Sequence, residues 1–430
     1  MTRQVIGRFG VGGVLAALAL STALQAQDFK LFNRTVQVHG FATEGYLHSS
    51  SNNYLTMPTS GSGSFAMTDF GVNASTELGD KVHVGAQFYD RNIGALGNWH
   101  PTLDWAVIDY KYKSWLEFRG GQAKTTLGLF NDTQDLEFIY TWALLPQAVY
   151  PVDLRGENIA HIGGDVLGRV RVKKLGSVAY TAYGGKQPSD MQGGFVYGIN
   201  SPPTVPVVKG HTTHLASYGG TSFGGDLRWQ TPVKGLLVGS SFIAKDLTTT
   251  GTNYYWNTQL AVVPSPYAKY TKADHTTGFY SEYTFRNFRF DGEYRRQQRE
   301  TSTIQSKFSC VAKTGVCTYA SPSSSASSYD YRYGYVAASY RFTKWFEAGA
   351  YNSRYIAAAG TNWDLPTNHI YDQTIAAKFD IDRFVDLKVE GHFIDGNGGA
   401  KVDRGFYPDD NAKGYANVTD LLVVRTGFHF

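Results

Sequence analysis

The sequence predicts an all-β fold, a transmembrane antiparallel β-barrel of about sixteen strands with short turns at one end and long loops at the other. Three observations predict it. Apolar and polar residues alternate along strand-length segments, and the gaps between these segments alternate between short and long. The composition is 15% aromatic with 47 glycines in 430 residues, which suits a barrel whose apolar exterior surrounds a wet interior.

The N-terminal stretch has the pattern of a secretory signal peptide. Arg3 and Arg8 supply a basic start, Val11–Leu20 is apolar, and Ser21–Ala26 supplies small residues before a cleavage site. The alternative, a membrane-anchoring helix, needs about 20 apolar residues, and this run is shorter. We therefore expect export, with a signal peptide over 1–26 and the barrel over 27–430.

Charge and motifs exclude several classes of function. Without Arg3 and Arg8, 38 of the 40 basic residues remain against 36 acidic ones, so the mature chain is close to neutral. Nucleic-acid binders concentrate basic charge on one face, and the absence of such a run predicts no nucleic-acid partner. Residues Gly220–Gly224 match a nucleophile-elbow motif, but they lie inside a predicted strand, whereas the motif needs a sharp turn into a helix. We expect no enzyme, no metal and no cofactor.

The periodicity predicts sixteen strands. They are Thr35–Leu47, Phe65–Leu78, Lys81–Asn92, Leu103–Tyr112, Leu116–Gly128, Ile159–Lys173, Gly176–Gly184, Ser217–Gln230, Leu236–Asp246, Lys269–Phe285, Phe288–Arg299, Tyr329–Arg341, Phe346–Ser353, His369–Phe379, Leu387–Asp395 and Val418–Phe430.

The gaps between these strands are sorted by length. The long ones follow odd-numbered strands and hold clusters of Ser, Pro, Asn and Gly, such as Ser201–Pro206 and Ser321–Ser328. Short periplasmic turns and long outer loops are typical of bacterial outer-membrane barrels. Aromatic residues, such as Phe342 and Trp345, flank the short turns. They indicate a ring of aromatic side chains at the membrane surface, although ordinary packing at strand ends is the alternative.

Alternation within strands separates a charged face from an apolar one. A charge on the lipid face costs about 2–4 kcal/mol near the membrane midplane, so the charged face must face water. Sixteen strands give a barrel wide enough for an aqueous channel. The predicted lumen-wall residues are Arg169, Arg289, Asp291, Glu293, Arg295, Lys388 and Glu390.

The chain ends in an amphipathic segment that closes on an aromatic residue. Phe430, Phe428, Val424 and Leu422 form an apolar stripe against more polar neighbours such as Arg425. This pattern resembles the terminal-strand signal of outer-membrane barrels, which implies recognition of Phe430 by the barrel assembly machinery.

The stretch after the fifth predicted strand resembles a proteobacterial family of porins. In that family a strand ends in K-T-P-L-G-L-Y-N and is followed by acidic residues and an L-P-Q segment. Here the segment from Lys124 to Asn131 has Thr126 for the proline and Phe130 for the tyrosine, and Leu145–Gln147 supplies L-P-Q. The resemblance implies that 129–158 folds into the barrel as a constriction loop.

The physical character of this loop agrees with that expectation. Its middle, Leu136–Val149, is largely apolar and aromatic, and must pack against something. An inward fold buries it, whereas the alternative is a lid packed on the outer rim. The candidate constriction residues are Asp132, Asp135, Glu137, Arg155, Arg119 and Lys124.

The resemblance implies a water-filled channel for passive diffusion of ions and small hydrophilic solutes, assembled as a homotrimer. Its partners would be outer-membrane lipid, lipopolysaccharide and the diffusing solutes. A channel specific for anions, phosphate or sugars is the alternative, followed by a barrel enzyme or an adhesin.

Two features belong to the predicted outer loops. Cys310 and Cys317 stand seven positions apart in an exported chain, which predicts a disulfide; two free thiols are the alternative. Residues Asp395–Gly399 form a Gly/Asn turn, and calcium binding there is the second interpretation.

Overall fold

The computed structural model describes residues 27–31, 34–200, 211–256, 262–305, 308–310, 317–319, 322–399 and 404–430. The predicted signal peptide lies outside these residues and stays a prediction. Sixteen long strands form the wall. They are β1 (Arg34–Ser49), β2 (Ser64–Glu77), β3 (Val82–Ile93), β4 (Thr102–Lys113), β5 (Leu116–Lys124), β6 (Ala160–Arg171), β7 (Ser177–Gln187), β8 (His211–Gln230), β9 (Leu236–Trp256), β10 (Val262–Phe285), β11 (Phe288–Gln305), β12 (Ser323–Arg341), β13 (Phe346–Ile356), β14 (His369–Asp380), β15 (Val385–Asp395) and β16 (Val418–His429).

The wall closes on itself. Each strand pairs antiparallel with its neighbours in sequence, and β16 pairs with β1 from Leu421↔Ser49 to His429↔Phe41. Closure gives every wall strand two partners, so no backbone group at membrane depth is left to face lipid. A short strand, Gln27–Leu31, pairs with the start of β1. The predicted sixteen-stranded antiparallel barrel is confirmed.

Few of the described residues are helical. Within them, no helix is long and apolar enough to cross a membrane. The described α-helix, α1 (Gly194–Asn200), lies in the loop after β7 and contacts β8.

Five strands in the middle of the chain are longer than predicted. The ladder between β9 and β10 continues to Trp256↔Val262, although the predicted strand ended at Asp246. The predicted loop Ser321–Ser328 is strand from Ser323 onward. These extensions are rich in Ser and Thr on both faces, so the alternation that marks a membrane strand is missing although the backbone pairing continues. In the other direction, β5 ends at Lys124 and not at Gly128.

The two faces of the wall differ as the alternation predicted. On β11 the side chains of Asp291, Glu293 and Arg295 point into the lumen and are almost fully buried, whereas those of Phe290 and Tyr294, at the alternate positions, are exposed on the outer face. The predicted wall residue Arg169 lies near the periplasmic end of β6 and is exposed. Charged side chains therefore line the interior, and aromatic and aliphatic ones cover the exterior.

The structure shows where three of the sequence motifs lie. The predicted nucleophile elbow, Gly220–Gly224, lies inside the continuous strand β8, without the turn into a helix that the motif requires. Cys310 and Cys317 are backbone register partners in a short two-stranded ladder, and the disulfide between them stays a prediction. In Asp395–Gly399, the three glycines have positive φ, as the simple turn interpretation expects.

Replacing Val336 on the outer face of β12 tests the orientation of the wall. Val336 is 66% exposed, and Val336→Arg should lower the free energy of unfolding in lipid vesicles by about 2–4 kcal/mol, because a charge would face the acyl chains. Val336→Leu should leave it within about 0.5 kcal/mol. Equal unfolding midpoints for the two variants would contradict the assignment of this face to lipid.

Candidate functional site

The loop between β5 and β6, residues 125–159, lies inside the barrel. Its side chains Phe130, Trp142 and Leu144 are buried in the main hydrophobic cluster, packed with wall residues such as Tyr335 and Tyr351. The Trp142 and Tyr351 rings meet edge to face at 5.1 Å. The predicted inward fold of the third loop is confirmed, because a lid on the rim would not reach these wall residues.

Local contacts fix the shape of this inward loop at its neck. The Asn131 amide donates hydrogen bonds to the carbonyl oxygens of Thr125 at 2.7 Å and Asn158 at 2.8 Å, which ties the two ends of the loop together. Gly128 has a φ of +71°, and a Cβ there would overlap the carboxylate of Glu293. Glycine is therefore required at the point where the chain leaves β5 and turns into the lumen.

Three charged wall residues, the latch Lys388, Glu390 and Arg425, hold the backbone of the loop tip, residues 137–144. The Glu390 carboxylate accepts two successive backbone N–H groups of the tip at 2.7 and 3.0 Å. Lys388 donates to two tip carbonyl oxygens at 2.5 and 3.1 Å, and Arg425 to a third at 2.9 Å. All three are buried, and their charges are balanced by these backbone groups together with charged side chains, such as Asp69 and Glu137 beside Arg425.

A second attachment holds the loop against β11. The Tyr150 hydroxyl donates to Glu293 at 2.5 Å, and Arg295 donates to the same carboxylate at 2.5 Å. Arg295 also donates to the Leu127 carbonyl oxygen at 3.0 Å. The loop therefore crosses the lumen between two charged anchors, which hold it although its own secondary structure is limited to three short 3-10 helices, Asn131–Thr133, Glu137–Ile139 and Arg155–Glu157.

Four charged residues meet on the opposite side of the loop, and we call Lys124, Asp104, Asp135 and Arg155 the ion cluster. Lys124 pairs with Asp135 and lies 3.4 Å from Asp104, and Arg155 lies 2.8 Å from Asp104. The Gln87 amide donates to both carboxylates, at 2.9 and 2.5 Å. The cluster joins the loop to the wall of β3, β4 and β5.

Arg155 keeps its charge within this cluster. Burial alone would lower the pKa of Arg155, but the carboxylate of Asp104 outweighs this and the pKa is raised. The guanidinium also lies over the Tyr89 ring, 4.2 Å from its centroid, a favourable contact for a cation. The cluster therefore presents fixed positive and negative groups side by side.

The other predicted constriction residues are also paired. Glu137 pairs with Arg425, Asp132 lies 3.5 Å from Arg228, and Arg119 lies 2.6 Å from Asp109. On the wall, Arg289 binds Glu282 at 2.6 Å and Asp291 at 3.0 Å. The structure thus brings Asp135, Arg155 and Lys124 together and distributes the remaining predicted residues over separate pairs around the lumen.

Sequence reasoning missed several partners in these pairs. Asp104, Arg228 and Arg425 were not among the predicted site residues, and neither was Asp69, which binds Arg425 at 2.9 Å. Each stands at a lumen position of a correctly predicted strand, so the alternation marked it as wall. Which wall charges contact the loop depends on the path of the loop backbone. The alternation of polar and apolar residues does not predict that path.

Cavities lie at both ends of the wall that carries the ion cluster. An outer cavity of about 300 Å³ is bordered by Tyr89, Asp104 and Arg155, and a periplasmic one of about 680 Å³ by His83 and Asp109. Asp104 and Asp109 are five residues apart on β4, about 17 Å at the rise of a strand. The ion cluster therefore occupies the short stretch that separates two spaces open to small molecules.

Comparison with known proteins identifies the class of fold. No family model and no curated relative matches the chain. Among solved structures, an anion-selective porin from Comamonas acidovorans matches with a TM-score of 0.52 and 10% identity, covering 92% of this chain and 100% of that one. OmpT of Vibrio cholerae, expressed in the outer membrane, matches with a TM-score of 0.51 and 10% identity, covering 94% and 100%. The chain has the fold of the porin-like barrels of the outer membrane.

Removing the charge of one latch residue should loosen the loop tip. Glu390→Gln replaces a carboxylate that accepts two backbone N–H groups. Each hydrogen bond to a charged group contributes about 1 kcal/mol more than one to a neutral group, so the two together lose about 2 kcal/mol. Amide hydrogen exchange in residues 137–144 should therefore become about thirtyfold faster. Glu77→Gln removes the same charge at the exposed end of β2 and should leave this exchange unchanged. Equal exchange rates in both variants would refute the latch.

Proposed function

We propose that the chain forms a water-filled channel for passive diffusion of ions and small hydrophilic solutes across the outer membrane. The observation that carries this proposal is the inward loop, which places an ion cluster between two lumen cavities on the same wall. A closed wall with charged residues inside and apolar residues outside supports the same function. The porin fold of the structural relatives agrees with it.

The chemistry of the constriction favours hydrophilic solutes. An ion entering the stretch between the cavities passes through the field of the fixed charges of the ion cluster, of which Lys124 is the most exposed, and this field lowers the cost of leaving bulk water. An apolar solute gains nothing from these groups and would have to displace their hydrogen bonds. The mixture of signs in the ion cluster supports weak discrimination between cations and anions.

A catalytic function is the competing hypothesis that the structure allows us to weigh. The His161 ring lies 3.1 Å from the Thr125 hydroxyl through Nδ1 and 2.6 Å from Asp165 through Nε2, the order of groups in a catalytic triad. All three side chains are nearly fully buried, so a substrate could not reach the hydroxyl. We propose a structural role for this group and no enzymatic activity for the chain.

We further propose the assembly and partners that the family resemblance implies. The last residue, Phe430, exchanges backbone hydrogen bonds with Gly40 on β1 at 2.9 and 3.2 Å, so the terminal strand is fully paired once the assembly machinery has released it. Lipid and lipopolysaccharide would contact the apolar exterior. The outer loop would carry the Cys310–Cys317 disulfide.

A depression on the outer face supports the homotrimer. Small residues, among them Ala74, Ala86, Ala106 and Gly120, line an apolar groove of about 660 Å³ across β2–β5, whereas large apolar residues cover most of the remaining exterior. Lipid chains do not require such a groove, but a second copy of the barrel could approach closely there.

Filling this groove should prevent assembly. A Cβ added at Gly120 meets nothing within 4 Å, so Gly120→Phe should fold and yet shift the detergent-solubilised protein from trimer to monomer in light scattering after size exclusion. Val336→Phe, on the outer face of β12, is the matched control and should remain trimeric. A parent chain that is monomeric under the same conditions would refute the trimer.

Neutralising two loop carboxylates should change ion selectivity. Asp135→Asn combined with Glu137→Gln leaves Lys124 and Arg425 without their loop partners, so the lumen becomes more positive. The reversal potential in a planar bilayer under a KCl gradient should shift toward anion permeation.

The matched control for selectivity is Glu77→Gln with Asp80→Asn, which removes two negative charges at the periplasmic mouth. This double variant should shift the reversal potential less than the loop variant, because field lines are concentrated where the lumen is narrow. An unchanged reversal potential in the loop variant would exclude these residues from the constriction.

A further inference from the structure

Two outer loops from opposite ends of the chain form one unit, which we call the outer cap. It consists of residues 51–59, between β1 and β2, and residues 404–417, between β15 and β16. The Asn52 amide donates to the Ala416 carbonyl oxygen at 2.9 Å, and the Ala416 N–H donates back to the Asn52 side-chain oxygen at 2.8 Å. The pairing of β16 with β1 brings the two loops together, and these contacts join them above that seam.

The outer cap has an apolar core of its own. The Tyr54 and Phe406 rings meet edge to face with centroids 5.1 Å apart. Both are buried, as is Leu55, whose N–H donates to the Gly405 carbonyl oxygen at 2.7 Å. Tyr54, Leu55 and Phe406 belong to the same hydrophobic cluster as the buried side chains of the inward loop. The cap therefore packs on the inward loop and does not extend into solvent.

A buried carboxylate of the inward loop binds the cap directly. Asp153 is fully buried, and one of its oxygens accepts the Gly405 N–H at 2.9 Å and the Tyr407 hydroxyl at 2.6 Å. Arg404 donates to the Ala148 carbonyl oxygen of the same loop at 3.2 Å. Separating the cap from the inward loop would break two charge-assisted hydrogen bonds, which are stronger than neutral ones.

The cap reaches across one side of the barrel mouth. Its strands of origin are β1 and β16, yet the Arg404 guanidinium lies 3.7 Å from the ring centroid of Tyr355 on β13 and 5.2 Å from that of Tyr333 on β12. Both tyrosines are buried on the inner face of the wall. Phe406 and Tyr407 are at most 1% exposed. The cap thus fills the mouth from β12 round to β1.

The opposite side of the mouth is open. The outer cavity of about 300 Å³ lies there, bordered by His100, Thr102 and Gln122 beside β4 and β5. In the described part of the chain, none of the residues that line this cavity belongs to the cap. His100 is exposed, in contrast to the buried residues beneath the cap. The outer cavity leads to Asp104 of the ion cluster, which also borders it.

We propose that the outer cap closes the lumen above the inward loop from β12 round to β1, so that solutes enter only beside β3–β5 and meet the ion cluster. Arg404, Phe406 and Tyr407 are then positioning residues, which limit the entrance without contacting the permeating ion. The inference deepens the proposed channel function, because it names the route of entry to the constriction. The closure itself can be tested without any ionic current.

Thiol labelling of the full chain in detergent tests the closure. The background is Cys310→Ser with Cys317→Ser, so that only an introduced cysteine reacts. Ala148→Cys places a reporter in the buried part of the inward loop that the cap covers, and His100→Cys places one beside the outer cavity. With a small sulfonated methanethiosulfonate, followed by mass spectrometry, His100→Cys should react about a hundredfold faster or more, because the covered site reacts only when the cap opens.

Opening the cap should expose the covered reporter alone. Phe406→Ala with Tyr407→Ala removes two buried rings and the hydroxyl that binds Asp153, and loss of buried aromatic packing is strongly destabilising. The labelling rate of Ala148→Cys should therefore rise about tenfold or more, whereas that of His100→Cys should stay unchanged. If this double variant does not fold, Tyr407→Phe removes one hydrogen bond and should raise the rate about fivefold.

The matched control removes apolar side chains from another outer loop. Trp363 and Leu365 lie between β13 and β14 and are exposed, so Trp363→Ala with Leu365→Ala should leave both labelling rates unchanged. Heat-modifiable migration in gel electrophoresis shows whether each variant is folded. In a planar bilayer, the cap variant should conduct about twofold more KCl current than the parent. Its reversal potential should stay the same, because the charges of the ion cluster are intact.

The outcomes separate the cap from the channel. Equal labelling rates of Ala148→Cys and His100→Cys in the parent overturn the closure, whatever the conductance. Slow labelling of Ala148→Cys that the cap variant accelerates, in a protein that passes no KCl current, supports the closure and overturns the channel. A cap variant with faster labelling but the conductance of the parent shows that the cap does not limit entry and overturns its role in permeation.

Discussion

The fold depends on the cost of placing charged side chains against lipid. Strands such as β11 carry Asp291, Glu293 and Arg295 on one face and Phe290 and Tyr294 on the other, and an open sheet would expose the first set to acyl chains or the second to water. Closing the sheet into a barrel turns the charged set toward the lumen and the apolar set toward the lipid. It also gives every wall strand two hydrogen-bonded neighbours. The charged interior that results then determines how the inward loop is held, because its partners are charges and not a hydrophobic surface alone.

The inward loop has different attachments on its different sides. Lys388 and Glu390 bind its backbone, so their role depends on the path of the chain, whereas Arg425 binds both the backbone and the Glu137 side chain of the tip. The ion cluster instead uses side chains of the loop itself, Asp135 and Arg155. The first attachment fixes the position of the loop, and the second determines which charges a solute meets. Lys388 and Glu390 thus serve positioning and the ion cluster serves selectivity, whereas Arg425 contributes to both through its pair with Glu137.

Much of this architecture was predictable from alternation, loop lengths and the aromatic C-terminus, because membrane strands obey a strict two-residue period. The Ser- and Thr-rich extensions of β9 and β12 were missed, since both of their faces lie in water and the period disappears. The loop residues were identified by resemblance, but partners such as Asp104 and Arg425 were not, since pairs between distant strands depend on three-dimensional path.

The central claim is that the lumen is hydrated and continuous past the inward loop. Single-channel recording of the purified parent protein in a planar bilayer at several KCl concentrations tests it most directly. The account predicts discrete current steps, linear with voltage, whose size grows with salt concentration. Folded protein that inserts into the bilayer and yet passes no current would show that the loop and its charged partners seal the barrel, and would contradict the account.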